Sequence, residues 1–210
     1  MKKDLRICFI GDSFVNGTGD ETKLGWTGRV SAQLERDRDD LEVTHYNLGI
    51  RRNTSEDILN RWGEESQQRL EGDFEKLIVF SFGVNDTVIE GGDQRVSAQQ
   101  SLENARAMLT EAASVCRVLM IGPPPIADSE QNIRIKDLDG SLAELCQSLS
   151  VPYLSVVSEL IDDPIWMREV ASNDGAHPRS AGYTKLATLV SAWDEWDCCS
   201  VSISSIIPID

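Results

Sequence analysis

Positive charge is scarce: 20 Lys and Arg stand against 35 Asp and Glu, a formal net charge of −15 over 210 residues. The summed field repels phosphate backbones and anionic headgroups, so nucleic acid is not an expected partner. Long apolar runs are missing too. No stretch approaches the roughly 20 apolar residues that cross a bilayer, so no membrane span is expected. The run Ile7 to Ile10, behind Lys2 and Lys3, is short and lacks a small-residue cleavage site, which argues against a secretory leader. A soluble, cytoplasmic protein is the expectation. There are only two histidines, His45 and His177, and the cysteines (Cys8, Cys116, Cys146, Cys198 and Cys199) are odd in number and scattered, with no CxxC or Cys/His cluster. A disulfide frame is unneeded at this size, and neither a structural metal nor a cofactor is expected.

What is present reads as one folded domain. The length falls within the usual range of a single unit, and 40% hydrophobic with 26% charged residues is ordinary globular composition. Five short apolar runs rich in β-branched residues read as buried strands: Leu5 to Ile10, Val43 to Leu48, Leu77 to Phe82, Val118 to Ile121 and Tyr153 to Val157. Between them, Ala98, Leu102, Ala105, Leu109 and Ala112 fall on one helix face, as do Leu138, Leu142, Leu145 and Leu149. Another helix is expected from Thr54 or Ser55 through Ile58, Leu59 and Trp62, and a last one after Pro178 carries Leu186, Val190 and Trp193 inward. Alternating strands and helices imply a three-layer α/β domain over residues 1–197, a five-stranded parallel sheet with helices on both faces. The tail, residues 198–210, alternates Val201 and Ile203 with serines; it could form an edge strand, pack locally, or dock on a second subunit as the contact of a homo-oligomer.

In open parallel sheets the site forms beyond the carboxyl ends of the strands, where βα loops converge. Gly11-Asp12-Ser13-Phe14-Val15-Asn16-Gly17 follows the first strand, Asn47-Leu48-Gly49 the second, and Gly83-Val84-Asn85-Asp86 the third; Asp174-Gly175-Ala176-His177-Pro178 opens on the same edge before the last helix. Serine is a weak nucleophile that needs a base, and a neutral imidazole is suited to the task. His177 can take the proton of Ser13, and Asp174 can fold back to hold the other ring nitrogen. Negative charge developing on an attacked carbonyl oxygen would meet the Ser13 N–H, the Gly49 N–H and the Asn85 side-chain amide as an oxyanion hole. Singly, each residue has a plainer reading: Ser13 as a helix N-cap, Asn85 as a turn residue, Gly49 as a strand terminator. Together on one edge they read as a Ser-His-Asp acyl hydrolase acting on a small-molecule ester.

The blocks GDSFVNG, NLGIRRNT, GVND and DGAHP, in this order from Gly11 to Tyr183, resemble the SGNH hydrolase family, also called GDSL esterases and lipases. The resemblance implies a flavodoxin-like sheet, Ser13 as nucleophile, Gly49 and Asn85 completing the oxyanion hole, and Asp174 and His177 finishing the triad. It allows lipase, thioesterase, arylesterase, lysophospholipase and carbohydrate deacetylase activities, with short acyl chains the expectation. Phe14 departs from the leucine of the family name and is expected to shape the wall beside the serine. Arg51 and Arg52 stand where relatives often carry small residues; surface ion pairing is the plainer reading, contact with a carboxylate or phosphate of the substrate the sharper one. Asp12 is expected to hold its turn through nearby amides, His45 to be a structural or surface residue, and Trp26, Trp62 and Trp193 to pack in the core. The proline loop Ile121 to Ile126 could wall a pocket, and Gly91-Gly92 could let a loop close or simply connect. The rival readings are a flavodoxin-like phosphate or nucleotide binding module and an inert scaffold of the same fold.

Overall fold

The computed structural model describes residues 2–197. Along the chain run β1 (Lys3–Gly11), α1 (Ser13–Asn16), α2 (Gly25–Asp37), β2 (Leu41–Gly49), α3 (Ser55–Leu59), α4 (Trp62–Gln67) and β3 (Glu75–Ser81). There follow β4 (Ile89–Glu90), β5 (Asp93–Gln94), α5 (Ala98–Ala113), β6 (Arg117–Ile121), α6 (Ser129–Ser148) and β7 (Tyr153–Leu154). The chain continues with α7 (Val157–Ile161), α8 (Pro164–Ser172), α9 (Ser180–Ser191) and α10 (Asp194–Asp197).

Five strands form one sheet in the order β2-β1-β3-β6-β7, every pair parallel. This is the doubly wound order whose switch point lies between β1 and β3, where successive connections leave for opposite faces and open a crevice. The strands end level: Gly11 pairs with Gly49 and Ser81, Ser81 with Ile121, and Ile121 with Leu154. Loops leaving this edge therefore start from one height.

Strand alternation sorts the core into two layers. Leu5, Ile7 and Phe9 of β1 join Leu77 and Val79 of β3 under Trp26, Val30, Trp166, Tyr183, Leu186 and Val190, from α2, α8 and α9. Cys8 and Ile10 point the other way, with Ile78 and Phe80, against Ile58, Trp62, Met108, Leu109 and Leu142 of α3 to α6. Each such side chain taken from water contributes roughly 1.5–3 kcal/mol, and the sheet is covered on both faces, as a parallel sheet requires.

The three-layer α/β architecture is thus the one that the alternation of strands and helices implies. Two local expectations are corrected. The helix after Thr54 is two short ones, interrupted at Asn60 and Arg61, because the Arg61 guanidinium turns inward to the carbonyls of Gly11 and Leu48 and the side chain of Asn53. The fifth strand stops at Leu154, since only Met120 and Ile121 are available to pair with it. Val156 and Val157 are buried instead at the start of α7, and α7 and α8 intervene before the Asp174 loop. α8 carries a plain start signal, Asp163 accepting the amides of Ile165 and Trp166 with Pro164 in its first turn. Trp26 and Trp62 are buried, and Trp193, past the end of α9, packs partly buried against the core. Gly91 and Gly92, both with positive φ, make the two-residue turn of the β4–β5 hairpin. The tail from Cys198 onward, with its suggested role in assembly, lies outside the described residues.

Candidate active site

Ser13 opens a helix of one turn set directly on the end of β1. Asp12 caps it, its Oδ1 accepting the Phe14 amide at 2.9 Å, and Gly17 closes it in the left-handed conformation at φ 80°. The turn lies almost against the neighbouring strand: a Cβ on Gly49 would come within 2.2 Å of the Asn16 nitrogen and 2.7 Å of the Asp12 carbonyl. Glycine is required there by the close approach of two backbones.

The His177 loop is built to fix one ring. Asp174 Oδ1 accepts the amides of Ala176 (3.0 Å) and His177 (2.8 Å), while Gly175 takes φ 83°. The Asn173 side chain donates to the His177 carbonyl at 3.0 Å. Beyond Pro178, the open amides of α9 are met by carboxylates from elsewhere, Glu169 accepting from Arg179 and Gly182 and Glu21 from Ser180. Negative charge at a helix start suits both the free amides and the macrodipole. Phe14 lies against the imidazole, ring centroids 4.9 Å apart, and is backed by Trp166 at 6.4 Å. Trp166 is itself anchored by its indole N–H to the Pro125 carbonyl. The proline loop is accordingly buried framework behind Phe14.

These two loops meet. His177 Nε2 is 2.7 Å from Ser13 Oγ, and His177 Nδ1 is 2.7 Å from Asp174 Oδ2. Partial burial works to raise the Asp174 carboxyl, but the His177 amide, the ring contact and the Ala176 amide outweigh it and bring it down to about 2. An ionised Asp174 can only accept, which puts a proton on Nδ1 and leaves the Nε2 lone pair for the serine hydroxyl. That arrangement can withdraw a proton from Ser13 as its oxygen attacks a carbon.

The third loop arrives from β3. Asn85 donates through Nδ2 to the Asn53 carbonyl at 3.0 Å and to Asp12 Oδ2 at 3.3 Å, which brings it to the start of α1. The neighbouring Asp86 is buried and clamps the block, accepting the Ser55 amide at 2.8 Å and the Ser101 hydroxyl at 2.7 Å. Asp12 therefore does more than hold its own turn: it links the Ser13 loop to Asn85. Burial, with the nearby Asp86 adding to it against the opposing Phe14 and Asn85 bonds, pushes its carboxyl up to about 7. This link could not be read from spacing, since the partners are 73 residues apart. The Gly49 amide donates to Asn47 Oδ1 at 3.1 Å and is thus already engaged. His45 sits exposed on the edge strand β2.

The two arginines behave differently. Arg52 adopts φ 68° in the turn that returns the Asn53 amide to the Ile50 carbonyl, and its guanidinium pairs with Glu90 at 3.3 Å. Arg51 forms no ion pair among the described residues. Also among the described residues, no group of three or more His, Cys, Asp or Glu is placed to hold a metal ion, and no helix is long and apolar enough to cross a membrane.

Known proteins share this fold. The chain resembles a lipase/acylhydrolase of Enterococcus faecalis at 27% identity, covering 91% of this chain and 94% of that one, with a TM-score of 0.72. Axe2, an acetylxylan esterase from Geobacillus stearothermophilus, shares the fold at 17% identity and a TM-score of 0.72, covering 88% and 91%. Bacillus subtilis (strain 168) YpmR is 28% identical over 85 residues, 40% of this chain, a match spanning about a third of that protein's length. The model of the GDSL-like lipase/acylhydrolase family matches residues 9–185, most of the chain, and the chain belongs to that family of ester-acting hydrolases.

Proposed function

We propose that the protein hydrolyses carboxylic esters of small or short acyl chains through a covalent acyl-serine, with Ser13 as nucleophile, His177 as general base and acid, and Asp174 orienting the ring. The observation that carries this reading is the unbroken series Ser13 Oγ, His177 Nε2, His177 Nδ1, Asp174 Oδ2, with both contacts at 2.7 Å.

Ser13 Oγ bonds to the ester carbon as its proton passes to His177 Nε2, and the carbonyl π pair moves onto oxygen. The tetrahedral species collapses by expelling the alkoxide, which takes the proton from His177 and leaves as alcohol. A water molecule, deprotonated by the same nitrogen, then attacks the acyl carbon; Ser13 leaves, regains its proton, and the acid departs. Asp174 stabilises the imidazolium formed in each half. For the oxyanion we assign the Ser13 amide and Asn85 Nδ2 as leading donors. Asn85 can exchange its long bond to Asp12 for one to the developing charge. Gly49 contributes only by releasing Asn47, so its share is the smallest of the three.

A serine-directed fluorophosphonate tests the assignment. Stoichiometric labelling of the wild type is expected, with none in Ser13→Ala and slow labelling in His177→Ala. A protein that resists the reagent yet is stabilised by nucleotide would be a binding module instead.

A further inference from the structure

A cavity of about 370 Å³ opens beside the Ser13 turn, lined by Asn16, Gly17, Thr18, Gly19, Lys23 and Arg51. Its wall packs on the His177 loop: a Cβ on Gly19 would lie 3.2 Å from His177 Cβ and 2.5 Å from the Pro178 carbonyl. Asn16 ends the single helical turn that Ser13 begins, so the cavity wall and the serine share one turn of chain.

Its charge is the reverse of the molecule's. In a chain of net charge −15, both ionic side chains lining this cavity are cations, and neither forms an ion pair among the described residues. The nearby carboxylates are committed elsewhere. Asp20 is buried, bound by Arg29 at 2.5 Å and by the amides of Thr22 and Gly25, while Glu21 accepts from Ser180. The loop is held in shape by that buried Asp20, and it presents Lys23 from a left-handed backbone at φ 63°. Both cations are exposed and meet no carboxylate among the described residues, which leaves them available to an anion from outside.

The geometry points to an anion subsite of the ester site: Arg51 and Lys23 hold a carboxylate or phosphate on the substrate while its ester carbonyl meets Ser13, which makes the substrates anionic esters. The inference rests on the esterase reading and narrows it. Arg51 supplies the planar fork that matches either anion and Lys23 a point charge.

The test compares kcat/KM within matched pairs. For an anion on the acyl side, the 4-nitrophenyl monoester of glutaric acid is set against 4-nitrophenyl pentanoate. For the alcohol side, 4-acetoxybenzoate and 4-acetoxyphenyl phosphate are set against methyl 4-acetoxybenzoate, and the pair that responds locates and identifies the anion. In at least one pair the anionic member is expected to be favoured about tenfold or more, through KM. That preference should shrink several-fold in Arg51→Gln and in Lys23→Gln, persist in Lys136→Gln on the exposed face of α6, and fade between low and 0.5 M salt as charge is screened. Turnover of neutral esters with no anion preference, or a preference that both Arg51→Gln and Lys23→Gln retain, overturns the subsite alone. Inertness toward every ester, with no fluorophosphonate label, overturns the esterase reading and the subsite with it.

Discussion

Replacing Asp174 by Asn separates orientation of the ring from integrity of the fold. Asp174 Oδ1 serves two backbone amides, at 2.8 and 3.0 Å, so the amide oxygen of an asparagine must take that place and its NH₂ must face His177 Nδ1. Two donors would then oppose each other unless the imidazole moves its proton to Nε2. In that tautomer Nε2 meets Ser13 as a donor and cannot take its proton. The expected loss in kcat is roughly 10³–10⁴-fold, the scale seen when the wrong tautomer is imposed on a triad, with KM little changed. The fold should hardly notice. A carboxyl displaced from 3.8 to about 2 corresponds to ~2.4 kcal/mol at ~1.36 kcal/mol per pH unit. With 44% of that side chain exposed, solvent screening leaves about 1 kcal/mol. For a chain of this length that is roughly 2–4 °C in Tm. Because the carboxyl is lowered, its contribution is present above about 4 and is lost as pH falls toward 2, so the variant should also lose that acid slope. Ester hydrolysis, fluorophosphonate labelling rate and calorimetry together decide the matter. Activity within tenfold of wild type, or a loss accompanied by unfolding at the assay temperature, would refute the reasoning.

Other expectations can be checked with the same assays. Asn85→Ala should lower kcat by about 10²–10³ with a small change in KM, as for removal of one oxyanion donor; an unchanged kcat would remove Asn85 from the site. Gly49→Ala forces a Cβ onto the backbone of Asn16 and Asp12 and should cost about 1–3 kcal/mol in urea unfolding, so an unmoved midpoint would show that α1 shifts freely. Arg52→Gly relieves a left-handed arginine whose ion pair is exposed, and a gain of up to ~1 kcal/mol is expected where Arg52→Ala gives none. Asp12, raised by burial from 3.8 to about 7, contributes stability that is fully present below about 4 and lost as pH rises to about 7, by up to ~4 kcal/mol. Urea midpoints between pH 4 and 8 should fall accordingly in the wild type and stay flatter in Asp12→Asn.

Most of the framework was legible because burial writes itself into sequence as period. β1 and β3 read as apolar runs, since both faces of a parallel strand are covered, and α5 and α6 repeat at helical spacing over a long enough stretch to be unmistakable. The missed features are those in which a distant partner overrides a local pattern. Tyr153 to Val157 has a strand's composition, but the edge of β6 offers only two residues to pair with. Thr54 to Gln67 has a helix's composition, yet Arg61 satisfies more carbonyls by turning inward than by staying on a helix surface. The meeting of Ser13 with the Asp174 loop was readable because level strand ends and βα connections dictate where loops go. That Asn85 is held by Asp12 and Asn53 was not, because nothing in a four-residue block says which side chain from another loop will face it.

Several of the places where local rules are broken lie at one edge of the sheet. Asp12 is a carboxyl without solvent, raised to about 7 beside a second buried acid, Asp86. Lys23 and Arg52 hold left-handed backbones that glycine would adopt at less cost, in the loops after α1 and after β2. Each raises the energy of the folded state, and none is repaid by apolar burial of its own side chain. Asp12 ties the Ser13 turn to Asn85, Arg52 shapes the turn whose next carbonyl fixes that amide, and Lys23 lines with Arg51 the cavity beside the Ser13 turn. Were these only features of a scaffold, substitutions that relieve them would stabilise the fold and leave no trace in turnover. Under the reading developed above, relief at Asp12 or Lys23 instead trades stability against rate or substrate charge preference, because the strain keeps donors and cations positioned before a substrate arrives.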